Sequence, residues 1–263
     1  MTKDLIKHSN IKIAESREFV TLPNALNEKQ LQLLLLLVAQ VKEGDTEYNW
    51  IHIKYDDLIE MYNKNVYDKK SIKSMKDMIL DVVGKKWEIE TDTGRKLFGH
   101  YIERGMFDDV NRTIDLKLSN ETIDFFLREN GNLYSTYKYI KQLHTKCAIQ
   151  LYRFCNLKKN LGNAIPISIE DAIKLFYDKD KTIKVNDFFR FHLEPALERI
   201  NCLTDLHVEY EKVKADKDNK RKISSLKFTI YERDKYEKDI FNEDCMIEDF
   251  EDCEIDYDFF DDL

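Results

Sequence analysis

The 263-residue sequence is poor in residues that bend or interrupt a backbone, with only seven glycines and three prolines. This scarcity predicts long helices and strands joined by few tight turns. Its five cysteines show neither C-x-x-C spacing nor a histidine partner pattern, so the sequence indicates no zinc module. Their odd number, without a signal peptide, predicts reduced thiols and a cytoplasmic protein.

Catalytic motifs are missing as well. The six histidines are isolated, and there is neither a glycine-rich phosphate loop nor a G-x-S-x-G motif. The most apolar run, residues 31–41, is shorter than a membrane span and contains Gln32 and Gln40. We therefore expect no enzymatic activity, no metal, no other cofactor and no membrane segment. Aspartates and glutamates are abundant, which keeps a metal-dependent nicking enzyme as an alternative.

The negative charge of the chain is concentrated at its end. The net charge is −8, but residues 234–263 hold fourteen acids and two lysines, which gives that segment −12 and leaves +4 for residues 1–233. We predict an acidic, disordered tail over 234–263. Its aromatic residues leave a second interpretation open, in which the tail is an acidic peptide that contacts a basic partner or the protein's own DNA-binding surface.

The stretch 181–233 predicts a basic helix followed by a long hairpin. The apolar stripe of the helix faces a core and consists of Phe189, Leu193, Ala196, Leu197 and Ile200. After Asp205 the pattern changes to the alternation of two strands, and the residues between them are rich in lysine. This combination is typical of a winged helix that binds DNA. The candidate DNA-binding residues here are Lys181, Lys184, Asn186, Arg190, Lys217, Lys220, Arg221 and Lys222.

The order of small helix, basic helix and hairpin occurs twice, at 55–102 and at 169–231. In the first copy the basic helix is predicted over 68–83, with candidate DNA-binding residues Lys69, Lys70, Lys73, Ser74 and Arg95. We therefore predict an α+β protein of two tandem winged-helix domains. The predicted segments are an N-terminal arm or short extra helix at 1–23, domains at 24–135 and 136–233 with a joint inside 130–143, and the tail at 234–263.

Several short runs carry a family resemblance. The run LEPALERIN at 193–201, followed by TD at 204–205 and a strand pair that ends in ISSLKF at 223–228, resembles the second winged helix of the iteron-binding plasmid replication initiators. CAIQLY at 147–152 is similar to the helix that opens that domain, and NAL at 24–26 resembles the family's N-terminal signature. Together the runs span roughly residues 20–232.

The resemblance implies a sequence-specific initiator that binds repeated sites in double-stranded origin DNA. The second domain then dominates recognition, while the first adds DNA contacts or forms a dimer interface. It also implies that monomers start replication, that dimers repress their own gene, and that host initiator, helicase and primase are recruited. A transcriptional repressor with the same modules is the alternative among binding proteins.

Two departures from the family pattern concern the predicted recognition helix. Arg199 stands where glutamate is usual, which changes a local salt bridge. Phe189 and Phe191 flank Arg190 where basic residues are more common. A phenylalanine can contact only a thymine methyl or pack on protein, which limits how far this helix reads bases by hydrogen bonds.

Overall fold

The computed structural model describes residues 12–41, 50–61, 68–90, 94–126, 133–159, 166–177, 182–214 and 223–233. The predicted acidic tail, the tip of the second hairpin at 215–222 and the first eleven residues lie outside this description. Within it, helices and antiparallel sheets are mixed, as the predicted α+β class requires. No helix in these ranges is long and apolar enough to cross a membrane.

The N-terminal segment is part of the folded body from residue 12 onward. Strand β1 (Lys12–Glu15) pairs antiparallel with β7 (Leu133–Thr136), and helix α1 (Arg17–Val20) follows directly. Ser16 caps this helix, because its hydroxyl accepts from the backbone N–H of Phe19 at 3.2 Å. Ile13 and Phe19 are buried. The described part of the predicted arm is thus a strand and a short helix packed on the core.

Helix α2 (Glu28–Val38) lies at the centre of this core. The predicted cap is confirmed as a reciprocal pair, since Asn27 accepts from the N–H of Gln30 and the Gln30 side chain accepts from the N–H of Asn27, both at 3.0 Å. Its leucines are buried on every side, as their spacing predicts. Gln32 is also buried and donates to the carbonyl of Ile140 at 3.3 Å, in α6 (Tyr137–Gln142).

The first module has the predicted order of small helix, basic helix and hairpin. Its elements are β2 (Ile51–Lys54), α3 (Tyr55–Met61), α4 (Lys69–Gly84), β3 (Lys86–Glu90), β4 (Lys96–His100), β5 (Ile102–Asp108), β6 (Thr113–Leu118) and α5 (Asn120–Phe126). Strands β3 and β4 form the hairpin, and a separate sheet has the order β2-β6-β5. Strand β5 was not predicted, because most of its side chains are exposed and show no alternation.

The second module repeats this order. It comprises α7 (Lys146–Lys159), β8 (Pro166–Ser168), α8 (Ile169–Phe176), α9 (Val185–Phe188), a π-helical turn (Phe189–Leu193), α10 (Glu194–Leu203), β9 (Leu206–Lys214) and β10 (Ile223–Glu232). Helix α9, the π-turn and α10 follow one another without a break, and we call them together the second basic helix; α4 is the first basic helix. The sheet order is β8-β10-β9, and the short strand β8 was not predicted.

Helix α7 joins the N-terminal segment to the second module. Arg153 of α7 and Glu15 of β1 are both fully buried, and the arginine Nε donates to Glu15 Oε1 at 2.7 Å. The guanidinium also lies 4.6 Å from the ring centre of Phe19 and donates to the side chain of Gln150. The described part of the predicted joint at 130–143 is formed by β7 and α6, both packed against neighbouring helices.

Candidate nucleic-acid interface

The second basic helix begins at an exposed cationic end. Lys184 occupies the position before the first helical residue and its side chain makes no capping hydrogen bond. Lys184, Asn186 and Arg190 are all exposed. In the part of the chain that the structure describes, neither Lys184 nor Arg190 has a carboxylate within ion-pair distance. This end of the helix therefore combines positive side chains with the positive end of the helix dipole.

A π-helical turn interrupts the second basic helix where the sequence places a proline. Pro195 has no N–H to donate, and in a regular α-helix its ring would collide with the carbonyl of Phe191, four residues earlier. The helix widens here: the N–H of Glu194 donates to the carbonyl of Phe189, five residues back, and not four. The proline is thus accommodated without ending the helix.

One side of the π-turn is engaged with the hairpin. Phe189 is buried and stacks on Tyr210 of β9, with ring centres 6.0 Å apart and an angle of 18° between the planes. The ammonium of Lys212 lies 4.0 Å from the ring centre of Phe189. Phe189, one of the two departures from the family pattern next to Arg190, therefore packs on protein and holds a wing lysine in place.

The other side chains of the turn separate into inward and outward groups. Leu193 is buried, and His192 packs against Tyr177 with ring centres 4.4 Å apart. Burial lowers the pKa of His192, so this ring is neutral at neutral pH and adds no charge. Arg190 and Phe191 point to solvent, with Phe191 52% exposed. They form the outward edge of the helix.

The hairpin is fixed to the second basic helix by Asn201. Its side chain accepts from the N–H of Val208 at 2.7 Å and donates to the carbonyl of the same residue at 3.0 Å. Tyr210 adds a hydrogen bond from its hydroxyl to Glu194 at 2.8 Å. The sequence analysis did not identify Asn201 as a positioning residue, although it ends the run LEPALERIN. Helix and wing therefore form one unit.

The wing of the second module carries cations along its described length. Lys214 is exposed, while Lys212 lies 3.7 Å from Glu194 and Lys227 lies 3.8 Å from Glu211. Strand pairing places Tyr210 opposite Phe228, as the alternation predicts. Five of the predicted DNA-binding residues lie outside the described residues, namely Lys181, Lys217, Lys220, Arg221 and Lys222.

The first basic helix presents its predicted cations on one exposed side. Lys69, Lys70, Lys73 and Ser74 are exposed, whereas Met75 and Ile79 are buried in the core, as their spacing predicts. Over the described ranges the three lysines make no ion pair.

The first basic helix is capped by a carboxylate. Asp68 accepts from the N–H groups of Lys70 at 3.1 Å and Ser71 at 3.2 Å. These hydrogen bonds, that of Lys70 foremost, lower the pKa of Asp68.

Other cations of the first module are engaged within the protein. Lys76 pairs with Asp109 and lies 5.4 Å from the ring centre of Tyr55. In the hairpin, Lys96 lies 3.0 Å from Glu88. Arg95 is exposed beside the turn, directly after Gly94, whose φ of 74° suits glycine.

No group of three or more histidine, cysteine, aspartate or glutamate side chains that could hold a metal occurs among the residues that the structure describes. The thiol of Cys147 is buried, which raises its pKa to about 12 and leaves it protonated at neutral pH. The exposed cationic faces of the two basic helices can attract and order an anionic surface.

Comparison with solved structures shows that this fold is known. The crystal structure of Pi initiator protein in complex with iteron DNA matches with a TM-score of 0.67 and 17% identity, over 87% of this chain and 99% of that chain. Structures of RctB domains 2 and 3 match with TM-scores of 0.49 and 0.42, each at 12% identity; the first covers 78% of this chain and 81% of that chain, the second 85% and 84%. No curated protein sequence matches.

Family models match most of the sequence. The model described as Initiator Replication protein, WH1, matches residues 12–156, and the model described as Initiator Rep protein, WH2, matches residues 168–230. The first match includes the basic helix and hairpin of the first module and most of α7, and the second includes the basic helix and hairpin of the second module. The chain therefore belongs to the initiator replication protein family and contains its two winged-helix domains in tandem.

Proposed function

We propose that this chain binds double-stranded DNA sequence-specifically, at repeated sites of a replication origin, and initiates replication there. The observation that carries the proposal is the outward side of the second basic helix, where Lys184, Asn186 and Arg190 are exposed, together with the exposed Lys214 of the wing. Duplex DNA carries about one negative charge per 1.7 Å, and its major groove accepts an α-helix. The Pi initiator, which shares the fold, was solved with iteron DNA.

Footprinting the full-length chain on the DNA that flanks its gene tests this proposal. We expect protection of several segments that share one sequence and are spaced regularly. Competition with random duplex should leave the protected segments bound, since specific sites are typically preferred by about 10³-fold or more. Uniform protection of the DNA, or a preference for single-stranded DNA, would contradict sequence-specific binding to repeated sites in duplex DNA.

We also propose that initiation here is non-enzymatic and proceeds by recruiting host initiator, helicase and primase to opened DNA. Membership of an initiator family supports this, together with a sequence that lacks the paired histidines of nicking enzymes. Incubation with supercoiled origin DNA and Mg²⁺ or Mn²⁺ should leave the DNA supercoiled. A relaxed product attached covalently to the protein would contradict the proposal.

A second experiment separates an initiator from a transcriptional repressor. A plasmid carrying the origin should be established in cells only when the reading frame is present, whereas a repressor would not be needed for establishment.

We further propose that the first module pairs two copies of the chain in a monomer–dimer equilibrium. Leu97 and Phe98 of β4 and Met106 of β5 are 44%, 74% and 56% exposed, and β5 is an edge strand of its sheet. Sedimentation should show a dimer whose fraction rises with concentration and falls in Phe98→Asp. Val110→Asp, at a residue 92% exposed in the turn before β6, is the matched control and should leave the equilibrium unchanged.

A further inference from the structure

We propose that Arg190 and Phe191 act as one reading unit for a guanine beside a thymine. Arg190 would donate hydrogen bonds to the guanine, and the ring of Phe191 would pack against the C5-methyl group of the thymine. The inference rests on the proposed function, because it requires the second basic helix to lie in a major groove. It names the base step that this helix reads and the residue that sets that preference.

The two side chains contact each other in a way that a regular helix does not favour. The guanidinium carbon of Arg190 lies 5.1 Å from the ring centre of Phe191. Neighbouring residues of an α-helix point in different directions and do not face each other. Here the contact occurs inside the π-turn, whose wider winding reduces the angle between successive side chains. The local geometry caused by Pro195 therefore produces an Arg–Phe pair.

The side chain of Phe191 is exposed, whereas its neighbours in the π-turn pack against aromatic rings of the protein. Phe189 is buried against Tyr210, and His192 packs on Tyr177, whereas Phe191 is 52% exposed. An exposed phenylalanine on an otherwise polar helix face leaves its ring available to an apolar partner. In the major groove the apolar group that bases present is the thymine methyl.

Arg190 supplies the complementary chemistry. A guanidinium fork can bond O6 and N7 of guanine together, which a lysine ammonium cannot do with the same geometry. Stacking on Phe191 restricts the rotamers of the arginine before DNA arrives, and this lowers the entropy lost on binding. Because the two side chains are in contact, the bases that they reach must be neighbours. The expected preference is therefore a guanine adjacent to a thymine, on the same strand or the opposite one.

The test uses the full-length chain and a pool of random-sequence duplexes. Wild-type protein first selects its preferred site from the pool, and the selected duplex is then resynthesised with each thymine replaced in turn by uracil. Uracil pairs identically but lacks the C5-methyl group. We expect wild type to lose about three- to tenfold in affinity at a thymine next to a guanine, the size expected for one buried methyl group. Phe191→Ala should bind the thymine and uracil duplexes equally well.

Two variants complete the experiment. Tyr231→Ala removes an aromatic ring that is 50% exposed on β10 of the same module, and it should keep the full uracil penalty. Arg190→Lys should lower the preference for the neighbouring guanine about tenfold or more, because the fork and its stacking are lost. Since Phe191 is half exposed, its truncation should leave the thermal unfolding midpoint nearly unchanged.

The outcomes separate this inference from the function on which it rests. If wild type selects a sequence but tolerates uracil everywhere, or if Phe191→Ala keeps the same uracil penalty, Phe191 reads no methyl group and the inference fails alone. If wild type selects no sequence from the pool, sequence-specific duplex binding fails, and the inference fails with it.

Discussion

The two winged-helix modules share their order of elements but differ at the N-terminus of the basic helix. In the first module the carboxylate of Asp68 already occupies the backbone N–H groups of that end. In the second module the equivalent position is Lys184, whose side chain makes no cap. The first helix end thus has a carboxylate on its N–H groups beside the exposed Lys69 and Lys70, whereas the second has a lysine at that position and Asp187 in its first turn. The two modules therefore differ in the charge of the residue at the helix cap.

The wings differ in the same sense. In the first module Trp87 of the hairpin donates to Thr122 of α5 at 3.0 Å, and Gly99 across from it leaves the space that the indole ring needs. Its exposed residues include Phe98, an apolar one. In the second module Asn201 and Phe189 tie the hairpin to the basic helix. In the second module helix and wing are thus held together as one unit, whereas the first hairpin is tied to α5 and leaves an apolar side chain exposed.

Arg190→Ala should give the largest effect and test whether the second module dominates. We expect affinity for the selected site to fall about 10- to 100-fold, because a bidentate contact to a base is lost. Lys73→Ala, the matched change on the first basic helix, should cost about threefold or less, equally for specific and random duplex. Fluorescence anisotropy with both duplexes measures this. Equal losses for the two variants would abolish the proposed division of roles.

Asn201→Ala should separate the wing from its helix. It removes two hydrogen bonds and leaves the backbone of Val208 without that partner, so we expect about 1–2 kcal/mol less stability in urea unfolding. Affinity for specific DNA should fall as well, because helix and wing no longer hold one relative position. Asn201→Asp keeps the acceptor for the Val208 N–H and should recover part of the stability. Unchanged DNA binding in a folded Asn201→Ala protein would show that the wing acts independently.

Lys214→Ala tests the wing as a phosphate contact. Affinity should fall about threefold for specific and random duplex alike, and the slope of log K against log salt should become shallower by about 0.9. Lys220→Ala and Lys222→Ala should behave in the same way. The control is Lys96→Ala in the first hairpin, whose ammonium already pairs with Glu88. If the salt slope changes for Lys96→Ala and not for Lys214→Ala, the first hairpin and not the second contacts the phosphates.

Asp68→Asn should have the smallest effect and increase affinity. Asparagine keeps a cap through its single amide oxygen, although it can take only part of the hydrogen bonds that the two carboxylate oxygens accept from Lys70 and Ser71, and it removes the negative charge. We expect about a twofold gain for random duplex at low salt, which disappears as salt is raised. Thermal unfolding serves as the check that the helix is intact. A loss of affinity would mean that Asp68 itself contacts the DNA.

The fold could be predicted largely from spacing. The apolar stripes at three- and four-residue steps predicted both basic helices, and the alternation in 206–230 predicted the second hairpin. Both patterns depend only on residues close together in the sequence. Strand β5 could not be predicted, since its side chains are mostly exposed and only its backbone pairs with β6. The π-turn had a signal in Pro195, but a proline inside a helical pattern predicts a kink or an end as readily as a wider turn.

The candidate site was predictable where exposure follows from a helical stripe, as for Arg190 and Lys73. It was not predictable where a contact depends on a distant part of the chain. Lys76 borders the apolar stripe of the first basic helix. Asp109, in the turn after β5, pairs with it and engages its charge within the protein. The outward position of Phe191 follows from helical spacing, because it lies opposite the apolar stripe. Its contact with Arg190 depends on the wider turn, which that spacing does not contain.

The buried contact between Glu15 and Arg153 determines where this protein can be divided. A fragment that starts at residue 24, where the sequence pattern begins the first domain, would keep the guanidinium inside the core without its carboxylate. Removing one partner of a buried ion pair costs about 3–5 kcal/mol, a large share of the roughly 5–15 kcal/mol that holds a typical domain together. A protein shortened to start at residue 24 therefore needs Arg153 replaced by an apolar side chain such as methionine.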